Sequence, residues 1–373
     1  MNFDFSEDDQ MVREQTARLL AERCSTDVVR DVLDGKVKYA KPVWQGLAEM
    51  GLLGTAIPEA LGGSGAGYLP LCLVAQEVGA ALAPVPFSST VYLATEALLK
   101  FGSNAQQQQW LPQLAAGSIS ATVAVVESVN ELTESSVRLS WDGASLDGEK
   151  LLVPDGELVD LAIVVARGAD GVSLVLADLR DNGVERRSID TVDPTRNSAT
   201  LRFTDTKAEL LGSAGQGWAA LNAVQDRAAV LFAFEQLGGA QKALDMAVAY
   251  SQERFAFGRA IGSFQALKHM MADMYVALKL AESNCFYAAW ALASDAEDLP
   301  HAAAIARVSA TQAFQLCARD NIQVHGGMGF TWEFDCHLYY RRSNYLALQL
   351  GGLAEWEDKV IATLPATEPA SAA

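Results

Sequence analysis

The feature that most constrains this chain is a change of texture between residues 119 and 208. Five turn dipeptides crowd into that window: Asp-Gly at 142–143, 147–148, 155–156 and 170–171, and Asn-Gly at 182–183. Such pairs reverse a chain tightly because glycine and asparagine accept φ > 0. Between them lie short runs rich in β-branched residues, at 121–126, 137–141, 161–166, 172–179 and 199–203. The pattern predicts a small antiparallel sandwich or barrel. Both flanks read as helix instead. Residues 6–35 form one amphipathic stretch, with Ser6 placed to cap it and Glu7, Asp8 and Asp9 where the helix dipole favours acids. Further helices are expected near 41–50, 70–82, 88–101 and 105–116, with a glycine-rich loop at 62–67. After the β window, 217–254, 264–294, 300–321 and 341–362 read as four long helices. The predicted fold class is therefore α+β: an N-terminal helical domain (1–118), a middle antiparallel β domain (119–208), a C-terminal four-helix bundle (209–365) and a disordered tail (366–373).

Charge narrows the function. The chain has 373 residues and a formal charge of −18, and the three parts, with the tail counted in the last, carry −5, −7 and −6. An evenly acidic surface repels polyanions, so no nucleic-acid partner is expected. Five scattered cysteines with no CxxC pair fit free thiols in a reducing cytoplasm. The acidic start is no secretory signal, and no apolar run is long enough for a membrane span. The four histidines show no metal-ligand spacing, so no metal is expected. The glycines at 63, 65 and 67 have no strand before them, which rules out a Rossmann turn.

Two stretches carry chemistry. In Arg254-Phe255-Ala256-Phe257-Gly258-Arg259-Ala260-Ile261-Gly262-Ser263-Phe264-Gln265, glycines interrupt a helix, and no acid occurs from Arg254 through Ala272. With Arg254, Arg259 and Lys268, this window suits a phosphate. In Gln323-Val324-His325-Gly326-Gly327-Met328-Gly329-Phe330-Thr331, paired glycines let a ligand approach the backbone. These motifs, with Ile57-Pro58-Glu59, Gly62-Gly63-Ser64-Gly65, Glu77-Val78-Gly79, Leu82-Ala83-Pro84 and Ala272-Asp273-Met274, resemble the acyl-CoA dehydrogenase superfamily of flavoproteins across most of the chain.

The resemblance implies FAD between the β domain and the bundle, dimers or tetramers, and motif loops that reach a neighbouring subunit's FAD. Carried over, Arg254, Phe257 and Gln265 would contact FAD across that interface. Gln323, Gly326 and Gly327 would lie near its adenosine-pyrophosphate half. The implied reaction turns an acyl-CoA into the 2-enoyl-CoA. A carboxylate takes the α-proton, the β-hydrogen leaves as hydride, and electron-transferring flavoprotein accepts the electrons.

The chain departs from the family where that chemistry sits. Gly351 stands where the resemblance puts the catalytic glutamate. Two other acids are candidates for the base. Asp226 precedes Arg227 early in the long helix, two residues from the family's second slot. Glu235 lies on the apolar stretch 231–237, where a carboxylate needs a reason to be. The family's flavin-holding T-E-P-x-A-G-S-D run is replaced by residues 126–134, and its W-[IS]-[TS]-N segment by Leu152-Val153-Pro154-Asp155. Intact reaching loops beside an eroded cradle resemble the partner-type subunit of bacterial α2β2 members, which act on bulky, steroid-like CoA esters. A self-sufficient homotetramer using Glu235 or Asp226, or a non-catalytic scaffold subunit, are the alternative expectations.

Overall fold

The computed structural model describes residues 5–128 and 132–364. The expected tail at 366–373 and residues 129–131 of the substituted run lie outside the described residues.

Among the described residues six α-helices come first: α1 (Glu7–Arg23), α2 (Thr26–Leu33), α3 (Lys41–Glu49), α4 (Tyr68–Ala80), α5 (Thr95–Phe101) and α6 (Asn104–Ala115). Ser6 caps α1 as expected, in a reciprocal box. Its hydroxyl accepts the Asp9 N–H at 3.1 Å, and the Asp9 carboxylate accepts the Ser6 N–H at 2.9 Å. The predicted single helix over 6–35 is broken, because Ser25 is extended and starts α2 afresh. The stretch before α5, Ser88–Ala94, is wound as a fully buried π-helix.

The middle of the chain forms one sheet of eight strands: β1 (Ala121–Ala124), β2 (Ser140–Trp141), β3 (Ser145–Pro154), β4 (Leu161–Gly168), β5 (Gly171–Asp178), β6 (Val184–Ser188), β7 (Ser198–Lys207) and β8 (Glu209–Leu211). It is mostly antiparallel, as expected, and β1 and β2 each run parallel to β4. Asp147-Gly148 is not a turn either. Gly148 sits inside β3, where φ is +136° and the register against β7 shifts.

The C-terminal part contains α7 (Gly217–Glu253), a two-stranded hairpin of β9 (Phe255–Ala256) and β10 (Arg259–Ala260), then α8 (Gln265–Ser294), α9 (Leu299–His325), α10 (Cys336–Leu348) and α11 (Leu353–Ala362). The stretch 341–362 is two helices, because Leu350 and Gly351 adopt φ of +63° and +97°. The 37-residue α7 is the axis of the molecule. It crosses α4 at glycines on both sides: a Cβ on Gly79 would overlap the Glu235 carbonyl, and one on Gly238 would overlap that of Gln76. That crossing fixes where Glu235 sits. All five cysteines are free and buried. No helix among the described residues is long and apolar enough to cross a membrane.

Candidate functional site

The candidate residues fall at three places along α7. At 1.5 Å rise per residue, the 29 steps from Gln225 to Arg254 span about 43 Å.

At the N-terminal end is a groove of about 370 Å³. One wall is strand: Val123, Val125 and Val126 from β1 and the residues after it, Leu151, Leu152 and Pro154 from β3. The other is helical: Leu221 and Gln225 of α7, and Tyr345, Leu348, Gln349, Leu350 and Gly351 at and beyond the end of α10. Asp190, Thr191 and Val192 close one side. Among the described lining residues none is basic, and Asp190 is the one acid. Gly351 is therefore at the groove without a carboxylate to offer. The space beside it is taken by the Glu355 side chain, which a Cβ there would strike. Asp226, next to Gln225, does not line the groove and is ion-paired with Lys359. Burial pushes its carboxyl above the usual range, and Lys359 opposes this. Its neighbour Arg227 turns the other way, to Glu96 and, at 2.6 Å, Asp295.

In the middle, Glu235 is 0% exposed and does not reach the groove. Its Oε1 lies 3.1 Å from Arg196 and 3.8 Å from Arg342. Arg342 also donates to Asp193 at 2.6 Å and to the Thr195 hydroxyl at 2.8 Å. Arg196 donates to the Ser88 hydroxyl and lies 4.0 Å from Asp155, which accepts from Ser89 at 2.6 Å. The cluster joins the N-terminal helices, the sheet and the C-terminal helices at one buried point. Burial raises the Asp155 carboxyl, with Arg196 opposing. Burial alone would lower Arg196, but Glu235 and Asp155 hold it above its ordinary value. Sequence reasoning flagged Glu235 but not Arg196. The two are 39 residues apart, and no local signal links them.

At the C-terminal end, the β9–β10 hairpin projects into solvent. Phe257 and Gly258 at its tip both have positive φ, +54° and +80°. A primed turn suits two adjacent strands, but phenylalanine is a costly residue for it. Phe257 is also 96% exposed. Arg254, Arg259, Gln265 and Lys268 are exposed as well, and none of the three cations has an ion pair among the described residues. The Arg259 guanidinium lies 4.1 Å over the Phe264 ring. The second motif stands beside this hairpin. Tyr250, near the end of α7, stacks on His325 at 4.1 Å between centroids, and His325 Nδ1 is 2.8 Å from the Asn321 carbonyl. Burial lowers the His325 value, which favours neutral imidazole. From that root Gln323, Gly326 and Gly327 are exposed.

The structure thus brings Arg254, Phe257, Gln265, Gln323, Gly326 and Gly327 to one end, and keeps Asp226 and Glu235 away from them. The exposed end suits an anionic, aromatic dinucleotide such as FAD: unpaired cations, an aromatic face, a free amide and open backbone. The groove does not suit the pyrophosphate half of FAD, having no cation to hold it. Pro154 has no N–H or hydroxyl to donate.

Comparison with known proteins agrees with the architecture. The family model for the acyl-CoA dehydrogenase N-terminal domain matches residues 6–118, and that for the C-terminal domain matches residues 215–362. The acyl-CoA dehydrogenase IpdE2 of Mycobacterium tuberculosis (strain ATCC 25618 / H37Rv) is 35% identical over 341 residues, covering 91% of this chain and 91% of its own. Among solved structures, the ChsE4-ChsE5 complex from Mycobacterium tuberculosis aligns with a TM-score of 0.88 at 27% identity, over 99% of this chain and 100% of that one. The Tcur3481-Tcur3483 steroid ACAD aligns with a TM-score of 0.87 at 28% identity, over 96% and 97%.

Proposed function

The chain belongs to the acyl-CoA dehydrogenase family, and we propose that it works as the subunit that lends loops, not the base, to a heteromeric FAD-dependent enzyme. The observation that carries this reading is the separation along α7. The exposed cationic hairpin lies about 43 Å from the chain's own groove, so it serves a site on another subunit. The neighbouring structures of two-component complexes, one of them a steroid ACAD, support an α2β2 assembly acting on a bulky, steroid-like CoA ester. Electron-transferring flavoprotein is the proposed electron acceptor, and the cytoplasm the proposed location.

FAD, when bound, supplies the acceptor for the substrate's β-hydrogen as hydride. This chain's residues act around it. Arg254 places a positive charge against the anionic pyrophosphate, where an Arg–phosphate hydrogen bond is charge-assisted. Phe257, held outward by its turn, lays an apolar ring against the partner's site and excludes water there. Gln265 and Gln323 donate and accept with neutral amides, and Gly326 and Gly327 allow close backbone approach. Of the positions the sequence offered for the base, Gly351 has no carboxylate and Asp226 and Glu235 are held in ion pairs off the groove, which supports a carboxylate of the partner as acceptor of the α-proton.

Asp226→Asn and Glu235→Gln, each in the assembled complex, test this assignment. Turnover per folded complex stays within about twofold of the parent, while replacing the partner's glutamate removes about 10³-fold or more. Loss of that size in either variant of this chain, at unchanged assembly, returns the base to this chain.

A further inference from the structure

If the cofactor and the base belong to the partner, the groove at the N-terminal end of α7 is free for something else. We propose that it binds a neutral, largely apolar small molecule bearing a carbonyl or hydroxyl group, distinct from both the flavin and the CoA thioester. This goes beyond the function proposed above.

Size comes first. At about 370 Å³, the groove falls within the range of small-molecule sites. Its walls are leucine and valine from β1, β3, α7 and the end of α10, so apolar surface supplies the driving force. Its mouth is apolar too: Leu152, Val192 and Leu348 are 42%, 46% and 70% exposed. A soluble surface seldom clusters such residues around an opening without a ligand or partner to cover them.

Charge then selects the ligand. No described lining residue is basic, and Asp190 is negative. A fatty carboxylate, a phosphate or a CoA ester would bring an anion to a wall with one acid and no described cation. Polarity sets the last feature. Gln225 and Gln349 face the groove from two helical segments, both half-buried, and neither side-chain amide has a hydrogen bond among the described residues. A half-buried amide gives up water when a ligand enters, and a ligand carbonyl or hydroxyl would replace that hydrogen bond. With the hydroxyls of Thr191, Ser198 and Tyr345 in the same lining, neutral donors on an apolar groove select a neutral oxygen on an apolar body.

The experiment uses the purified full chain and Nile red, a neutral dye, with androst-4-ene-3,17-dione and octanoate as competitors. The dye saturates at one per chain, the diketone displaces it and octanoate does not. Val192→Trp, which fills the mouth, weakens dye binding by about tenfold or more, whereas Phe257→Ser, at the distant hairpin, leaves it within about twofold. Gln225→Leu lowers the diketone's affinity by about fivefold or more and the dye's by less. Non-saturable binding, equal displacement by octanoate, or indifference to both groove variants overturns the proposal. Such a failure in a flavin-free chain overturns this inference alone. Displacement of the dye by FAD, one for one, overturns the function proposed above as well.

Discussion

The two ends of α7 are opposites. At its start, Gln225 borders a groove that is apolar, lacks a described cation and has glycine where a base is expected. Past its end stands a hairpin with Arg254 and Arg259 in no ion pair among the described residues and a phenylalanine turned outward at φ +54°. Each end has what the other lacks, yet about 43 Å of rigid helix keeps them apart. A rigid helix cannot bring them together, which supports the proposal that each end is completed by another molecule. Between them the buried cluster around Glu235 gives the helix its fixed position. On the proposed reading Glu235, the first candidate for the base in the sequence, serves the fold through its ion pairs.

That contrast breaks most visibly in the middle of the helix. Arg342→Met removes the cation paired with Asp193 and leaves Glu235 to Arg196 alone, and removal of one member of a buried ion pair costs about 3–5 kcal/mol. The measurement is denaturant unfolding of the isolated chain. A loss below about 1 kcal/mol would show that the cluster does not join the three parts of the fold.

The far end should respond in the reverse manner. Arg254→Ala leaves the isolated chain's stability within about 0.5 kcal/mol, as for an exposed residue without partners. In the complex, it weakens FAD retention by about 1.5–3 kcal/mol, the worth of a hydrogen bond to a charged group. Flavin release during dialysis reads this out. Unchanged retention would mean that the hairpin does not reach a cofactor.

The smallest effect sharpens the groove side. Lys150 lies inside the sheet, bonded to Glu127 at 2.6 Å and to the Val125 carbonyl at 2.9 Å, so it holds the segment that forms one groove wall. Burial lowers its value to about 8, with Glu127 opposing. Between that value and the ordinary lysine range near 10.4, the unfolded chain binds more protons than the folded one. Lys150 therefore contributes stability that is present above the unfolded value and lost as pH falls through about 8. Unfolding free energy between pH 7 and 10 should rise more steeply in the parent than in Lys150→Met. Equal slopes would mean that Lys150 is not buried as a charge-sensitive group.

Much of this molecule was readable before its structure. The alternation of texture gave helix, sheet and helix in order, because turn dipeptides and hydrophobic period are local signals. The cationic window and paired glycines marked the hairpin and its neighbour for the same reason. What stayed hidden was long-range. Nothing near Glu235 announces Arg196 or Arg342, which come from the loop before β7 and from α10. Nothing in Asp147-Gly148 distinguishes a bulge inside a strand from a turn between two. The groove gathers residues from 93 to 351, and Gln225 and Gln349 carry no sequence signal for facing one cavity. Phe257 enters through the resemblance alone, since no local pattern announces its outward position at φ +54°.

The most direct test is the flavin content of the chain purified alone and after co-expression with its genomic neighbour. The account predicts essentially no flavin on the isolated chain, and a complex with one FAD for each pair of unlike chains. One full FAD per chain in the isolated protein would contradict it.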